Sequence, residues 1–188
     1  MNLTKTLRTG ALLPIKVNLI GGNVFLSTHK EKQIELSAGA GTNPKAIPNI
    51  YERSDFFEIR EQKLAAFLPQ REKIVLNLKV PEGTDLTLDC FGGAFEIYGK
   101  YNTLGVNMKF GEFRWYVSAG LKEGNVRMWA GDMKLFIKPE DKVNVVQSTF
   151  GYKEYILNEY ARLKCAVHLG DIRISPPTKD KDKSKYDW

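Results

Sequence analysis

Val106-Asn107-Met108-Lys109-Phe110-Gly111-Glu112-Phe113-Arg114-Trp115-Tyr116-Val117 is followed closely by Val126-Arg127-Met128-Trp129-Ala130-Gly131-Asp132-Met133-Lys134-Leu135-Phe136-Ile137. Each phrase alternates apolar and polar residues on both sides of a glycine. With the glycine as origin, the first gives Val106, Met108 and Phe110 before it and Phe113, Trp115 and Val117 after it. The second gives Val126, Met128 and Ala130, then Met133, Leu135 and Ile137. Alternation with a period of two sends one set of side chains to one face of an extended chain, and a glycine inside the run permits a corner or a bulge. A helix would place its apolar residues three and four apart, which these do not do.

Working outward, the same phrase recurs around Gly93, Gly151 and Gly170, with steps of about 18 to 20 residues, the range in which a supersecondary unit stacks on copies of itself. Cys165, Val167 and Leu169 precede Gly170, and Ile172 and Ile174 follow it; Leu88 and Cys90 precede Gly93, and Phe95 and Ile97 follow it. An earlier copy lies at Ile15–Thr28, where Val17 and Leu19 precede Gly22 and Val24 and Leu26 follow. The expected fold is all-β, a single-stranded right-handed β-helix (β-solenoid) with coils of about 20 residues. An antiparallel sandwich also has strands at short intervals, but it gives no reason for a glycine at one phase of each. The copy at Gly151 is irregular: one register turns Ser148 and Lys153 inward, and a slip by one residue turns Tyr152, Glu154 and Ile156 inward. A local bulge or widened coil is expected there.

The 188 residues read as a single domain over 1–175, with less regular opening coils at 14–83 and regular repeats at 84–175. Strands are expected at 33–38, 54–62 and 73–80, a Gly- and Pro-rich loop at 39–49, a helical turn at 63–68 and a turn at Pro81-Glu82-Gly83. Residues 1–13 are placed to cap one end of a solenoid. Residues 176–188 read as a disordered charged tail, since lysines alternating with aspartate and serine bury too little to offset ordering entropy. No run approaches the ~18 apolar residues of a spanning helix. The N-terminus lacks a convincing secretory signal, so cytoplasmic is the default expectation.

Cys90 and Cys165 hold the inward phase and are expected to be buried and reduced. Four coils apart at ~4.8 Å per coil, they would be about 19 Å from each other, beyond the ~7 Å that a disulfide spans. His29 and His168 are widely separated and form no ligand set with buried thiols, so no metal site is expected. No nucleophile constellation or phosphate-cradling glycine loop is present, and the expectation is a non-enzyme without a cofactor. A net charge of +6 is spread over 28 basic and 22 acidic residues, which points to no specific nucleic-acid partner.

The phrases Phe110-Gly111-Glu112-Phe113, Ala130-Gly131-Asp132-Met133 and Leu169-Gly170-Asp171-Ile172, behind Leu78-Lys79-Val80-Pro81-Glu82-Gly83, resemble the bacterial putative-adhesin domains of unknown function. Those domains have a strand ending in Val-Pro-x-Gly and then repeated Gly-Asp-apolar coils. The resemblance runs from about Ile15 to Ser175, with Gly21-Gly22-Asn23-Val24 as its early copy. Gly151-Tyr152 and Gly93-Ala94 depart from the acidic pattern. The resemblance implies a right-handed β-helix without known catalytic residues. A more distant likeness is to bactofilins, cytoskeletal β-helices that polymerise end to end, although their valine-isoleucine monotony is not reproduced here.

Outward positions of stacked coils form ladders. Five residues after the glycines stand Tyr98, Tyr116, Phe136 and Ile156, an apolar stripe that Trp129 would extend, and this is the candidate surface for a protein partner or self-association. Packing beneath a terminal segment is the plainer use of such a stripe. Three residues after the glycines the ladder reads Glu96, Arg114, Lys134, Glu154 and Arg173, as a solvated face would. Glu112 and Asp132 are the one candidate carboxylate pair; polar residues that follow glycine in a turn are far commoner. The leading function is a non-enzymatic binding or assembly module, adhesin-like, either self-associating or associated with the cell envelope. The alternatives are a β-helical carbohydrate-active enzyme and a basic scaffold for polyanions.

Overall fold

Residues that alternate between apolar and polar can hide one face only in extended chain, and the described residues form strands and no helix. The computed structural model describes residues 4–10, 12–38, 47–61, 75–118, 120–138 and 140–175. In chain order the strands are β1 (Thr4–Arg8), β2 (Ile15–Leu19), β3 (Asn23–His29), β4 (Gln33–Ala38), β5 (Asn49–Glu52), β6 (Phe57–Arg60), β7 (Val75–Pro81), β8 (Thr84–Ile97), β9 (Tyr101–Tyr116), β10 (Glu123–Phe136), β11 (Val143–Thr149), β12 (Tyr152–Leu157) and β13 (Ala161–Ser175). They form one 13-stranded sheet that does not close. The expected tail at 176–188 and the expected helical turn at 63–68 lie outside the described residues, as does most of the expected loop at 39–49.

The long strands β8, β9, β10 and β13 run parallel and in register, with Gly93 opposite Gly111, Gly111 opposite Gly131 and Gly131 opposite Gly170. Each bends at its glycine and so has a first half and a second half, both of which feed the same core. β2 pairs with the first half of β8 and β3 with its second half. The pair β2–β3 is thus the same bent strand, interrupted at 20–22. β6 and β5 extend the stack of first halves, while β7, β4 and β1 extend the stack of second halves. No element crosses between β9 and β10 or between β10 and β13, so the glycines form a column.

The column needs glycine for two reasons. Gly111 and Gly131 have φ of 127° and 132°, a region that other residues rarely enter. A β-carbon on Gly131 would also overlap the carbonyl oxygen of Gly111, and one on Gly111 would overlap that of Gly93. Backbone therefore lies directly on backbone at the corner.

On the first halves, Leu104, Val106 and Met108 are buried, as are Val126 and Met128, and Leu163, Cys165 and Val167; on the second halves so are Phe113, Trp115 and Val117, and Met133, Leu135 and Ile137. Fully burying a side chain of this size stabilises by about 1.5–3 kcal/mol. Large and small residues interlock: a side chain at Gly124 would run into the Trp115 ring and Leu163. The residue just before each glycine departs from the expected inward set. Phe110 and Leu169 are exposed and Ala130 is only partly covered. The chain crosses the outside of the corner there, so alternation is suspended for the residues on either side of the glycine.

The Gly151 copy is not a coil. Gly151 stands outside the column, in the turn of a hairpin: β11 and β12 are antiparallel to each other, and β12 is antiparallel to the first half of β13. Tyr155 and Leu157 point inward and are buried. Lys153 shares their phase, but its Nζ donates to the Ile172 carbonyl oxygen on the second half of β13 at 2.6 Å. The charge therefore has a partner at the open end of the core, which resolves the cost that burying it would otherwise carry.

Candidate functional site

Because β8, β9, β10 and β13 lie in register, residues far apart in sequence meet on the outer faces. On the face of the second halves, Tyr98, Tyr116 and Phe136 form a stack of nearly parallel rings, with centroid separations of 4.3 and 4.4 Å and interplanar angles of 15° and 14°. The rings are half-buried. The Tyr98 hydroxyl donates to Glu96, and burial followed by that carboxylate pushes the phenol pKa upward. Two members expected in this stripe are elsewhere. Ile156 is on β12 opposite Arg162, and Trp129 lies before the corner, on the outer face of the first halves. Ser27 and Ser175 hold the corresponding positions on β3 and β13, so the ring stack is bounded at both ends by serine.

The charged ladder likewise loses Glu154, which pairs with Arg162 at 3.2 Å on the hairpin. Glu96, Arg114 and Lys134 stay in register, with Arg173 beyond Lys134. Glu112, Asp132 and Asp171 form an adjacent row. Arg114 lies 3.2 Å from Glu112 and Arg173 lies 2.8 Å from Asp171. The Arg173 hydrogen bond holds the Asp171 carboxyl below the usual carboxylate range. Ion pairing within the strand engages Glu112 and Asp171 of this row.

Cys90 and Cys165 are buried free thiols, and desolvation pushes both up to about 12. They are closer than expected. β8 and β13 are separated only by β9 and β10, and three strand spacings together with a two-residue offset along the strand give about 16 Å. That remains too far for a disulfide.

Three further groupings went unread in the sequence. His29, Glu31 and Glu35 bring ligand-type atoms within 4.8 Å of one another at the connection from β3 to β4, which flank β7. The connection itself uses them: His29 Nε2 faces the Gln33 carbonyl oxygen at 2.7 Å, the Gln33 amide donates to Glu31 and Glu35 at 2.8 and 2.5 Å, and Lys79 lies 3.7 Å from Glu35. The second grouping is an edge. All seven residues of β11 are exposed, and the strand pairs only with β12. Val145 and Val146 are 61% and 53% exposed, and Phe150 at the hairpin turn is 92% exposed. The third is a groove of about 630 Å³ on the outer face of the first halves, crossing β2, β8, β9 and β10.

No family model matches the sequence, and no curated protein matches it. Among solved structures, the chain resembles the crystal structure of a putative cell adhesion protein from Clostridium sporogenes ATCC 15579, with a TM-score of 0.67 at 15% identity over 94% of this chain and 99% of that one. Putative adhesins from Bacteroides fragilis NCTC 9343 and Parabacteroides merdae ATCC 43184 align at 10% identity over 94% and 93% of this chain and 97% and 78% of theirs, with TM-scores of 0.38 and 0.29. Those two scores carry no argument. The first likeness is one of fold: this all-β chain has the architecture of a bacterial protein described as a cell adhesion protein.

Proposed function

We propose that the protein is a non-enzymatic β-solenoid, wound as a right-handed β-helix, that works as an adhesin-like binding and assembly module. The in-register glycine column supports the solenoid, and crossovers between parallel strands are right-handed in about 98% of cases. The likeness to the C. sporogenes protein supports the adhesin-like role.

The observation that carries assembly is the state of the edges. Natural sheets guard free edges with charge, proline or irregularity. β1 carries Lys5 and Arg8, and Lys5 Nζ reaches across to the Pro48 carbonyl oxygen at 3.0 Å and Asn49 Oδ1 at 2.7 Å, tying β1 to β5. β5 ends in Glu52, and Arg53 follows it. β11 has neither charge nor proline from Val143 to Gly151, and its one guard is the register shift between Val145 and Gln147. Two copies joined β11 to β11 in antiparallel fashion would extend the sheet with no like charges opposed. The ring stack of Tyr98, Tyr116 and Phe136, half-buried and bonded within itself, is the lesser surface.

Light scattering after size exclusion across a concentration series tests the assembly. A dimer is expected that Val145→Lys converts to monomer without loss of folded signal. A wild-type protein that stays monomeric at the highest concentrations would overturn self-association.

A further inference from the structure

The groove on the first halves brings two exposed rings, held in place by neighbours, together with two cations. Asp89, Asn107 and Arg127 form one row across β8, β9 and β10, and Phe91, Lys109 and Trp129 form the row two residues on. Phe91 and Trp129 are 60% and 47% exposed, yet neither ring is loose. Phe110 holds Phe91 edge-on at 5.5 Å, and His168 stacks on Trp129 at 4.3 Å. Two strand spacings, roughly 9.6 Å, separate the rings, and Lys109 lies between them.

The charges are the second feature. Many basic residues on the outer surface lie beside carboxylates, as Arg114 does with Glu112, Arg173 with Asp171, Arg162 with Glu154 and Arg53 with Glu58. Among the described residues, Lys109 and Arg127 have no such partner. The one carboxylate lining the groove, Asp89, accepts a hydrogen bond from Asn107 Nδ2 at 2.9 Å.

We propose that this groove binds an acidic polysaccharide, a chain of uronate-type sugars lying across β8, β9 and β10. A sugar ring presents a face of C–H bonds that sits on the negative face of an indole or phenyl ring. Its carboxylates pair with Lys109 and with the bidentate guanidinium of Arg127. Its hydroxyls donate to Asp89, which is acceptor-only, and bond with the Asn107 amide. Asp89 also discriminates, because it accepts hydrogen bonds from sugar hydroxyls, which the internal residues of a DNA strand lack. Rings and amide that are already held in place reduce the ordering cost of binding. The groove is open along the surface, which suits the interior of a polymer better than an enclosed small molecule.

Calorimetric titration of the full chain with a galacturonate hexamer tests this, with a neutral glucose hexamer and a thymidine decanucleotide as comparison ligands. Saturable binding of the galacturonate is expected, at least tenfold tighter than either comparison. Trp129→Ala weakens it at least tenfold, and the Lys109→Ala/Arg127→Ala double variant removes the preference over the neutral glycan. Phe91→Leu, a milder change, weakens it by a smaller factor and serves if the other variants fail to fold. No saturable binding of galacturonate overturns the proposal. So does tighter binding of the oligonucleotide, or binding indifferent to both ring variants, which marks general attraction to polyanions. Val145→Lys leaves the titration unchanged, so this site and association at β11 stand or fall separately.

Discussion

The bent strands β8, β9, β10 and β13 and the hairpin β11–β12 occupy the same sheet under opposite rules. In the bent strands, a glycine faces a glycine on the next strand and backbone touches backbone at the corner. In the hairpin, Gly151 faces no column member: it ends a turn, and its carbonyl accepts from the Val167 amide at 2.7 Å. The residue type is the same, and the constraint differs because of what lies across the strand gap. Glycine is therefore required in the bent strands by the glycine across the gap, whereas Gly151, at φ of 74°, serves a turn that also brings the Val167 carbonyl oxygen too close for a β-carbon.

The contrast is broken most directly at Gly131. Gly131→Ala combines backbone strain at φ of 132° with overlap onto the Gly111 carbonyl, and should cost about 4 kcal/mol, enough to unfold much of a domain of ordinary stability. Gly120→Ala has φ of 93° but open space around its β-carbon, and should cost about 1–2 kcal/mol. Urea denaturation of the two variants decides; equal losses would mean that stacking adds nothing to local strain.

Alkaline titration gives a smaller effect, confined to the coils. The thiols of Cys90 and Cys165 ionise near their ordinary value of 9.0 in the unfolded chain and near 12 in the fold. Above pH 9 the unfolded chain therefore binds fewer protons than the folded one. Stability is intact below pH 9 and falls as pH rises toward about 12, by roughly 1.4 kcal/mol per pH unit for each thiol. Tyrosine adds to the loss only above about pH 10, so unfolding midpoints between pH 9 and 10 isolate the cysteines. Replacing both by alanine should flatten the slope there.

The smallest effect belongs to the hairpin. Lys153→Met removes the donor to the Ile172 carbonyl and should cost about 1 kcal/mol, read from the same urea midpoints. A loss matching that of Gly131→Ala would show that the hairpin and the coils are held equally tightly.

The all-β character and the bent strands were legible in the sequence because alternation and a glycine phase are local signals. Val106, Met108, Trp115 and Leu135 could be assigned to the core from spacing alone. Phe110 and Leu169 could not, since a corner suspends alternation without leaving a mark in composition. The hairpin was hidden for a different reason. Gly151 falls at nearly the spacing of a coil, and strand direction depends on Asn158 and Glu159, whose positive φ values of 49° and 70° turn the chain back where no glycine announces a turn. The ring stack was readable as a ladder except for Ile156, which shared the fate of the hairpin. The groove was missed because its rows become rows only once register is known. The sequence of Phe91, Lys109, Trp129 and His168, each at one phase before its glycine, was nevertheless present as a signal.

After Gly131, the next glycine in the column is Gly170, and the chain makes the whole β11–β12 excursion between them without disturbing the alignment. Registration is evidently passed by contact from one layer to the next, and does not depend on how much chain is spent in reaching it. Nothing in such an arrangement counts its own layers, as a closed barrel must. A chain built this way could gain or shed whole layers, or carry detours of other lengths at the same bend, with the corner geometry unchanged.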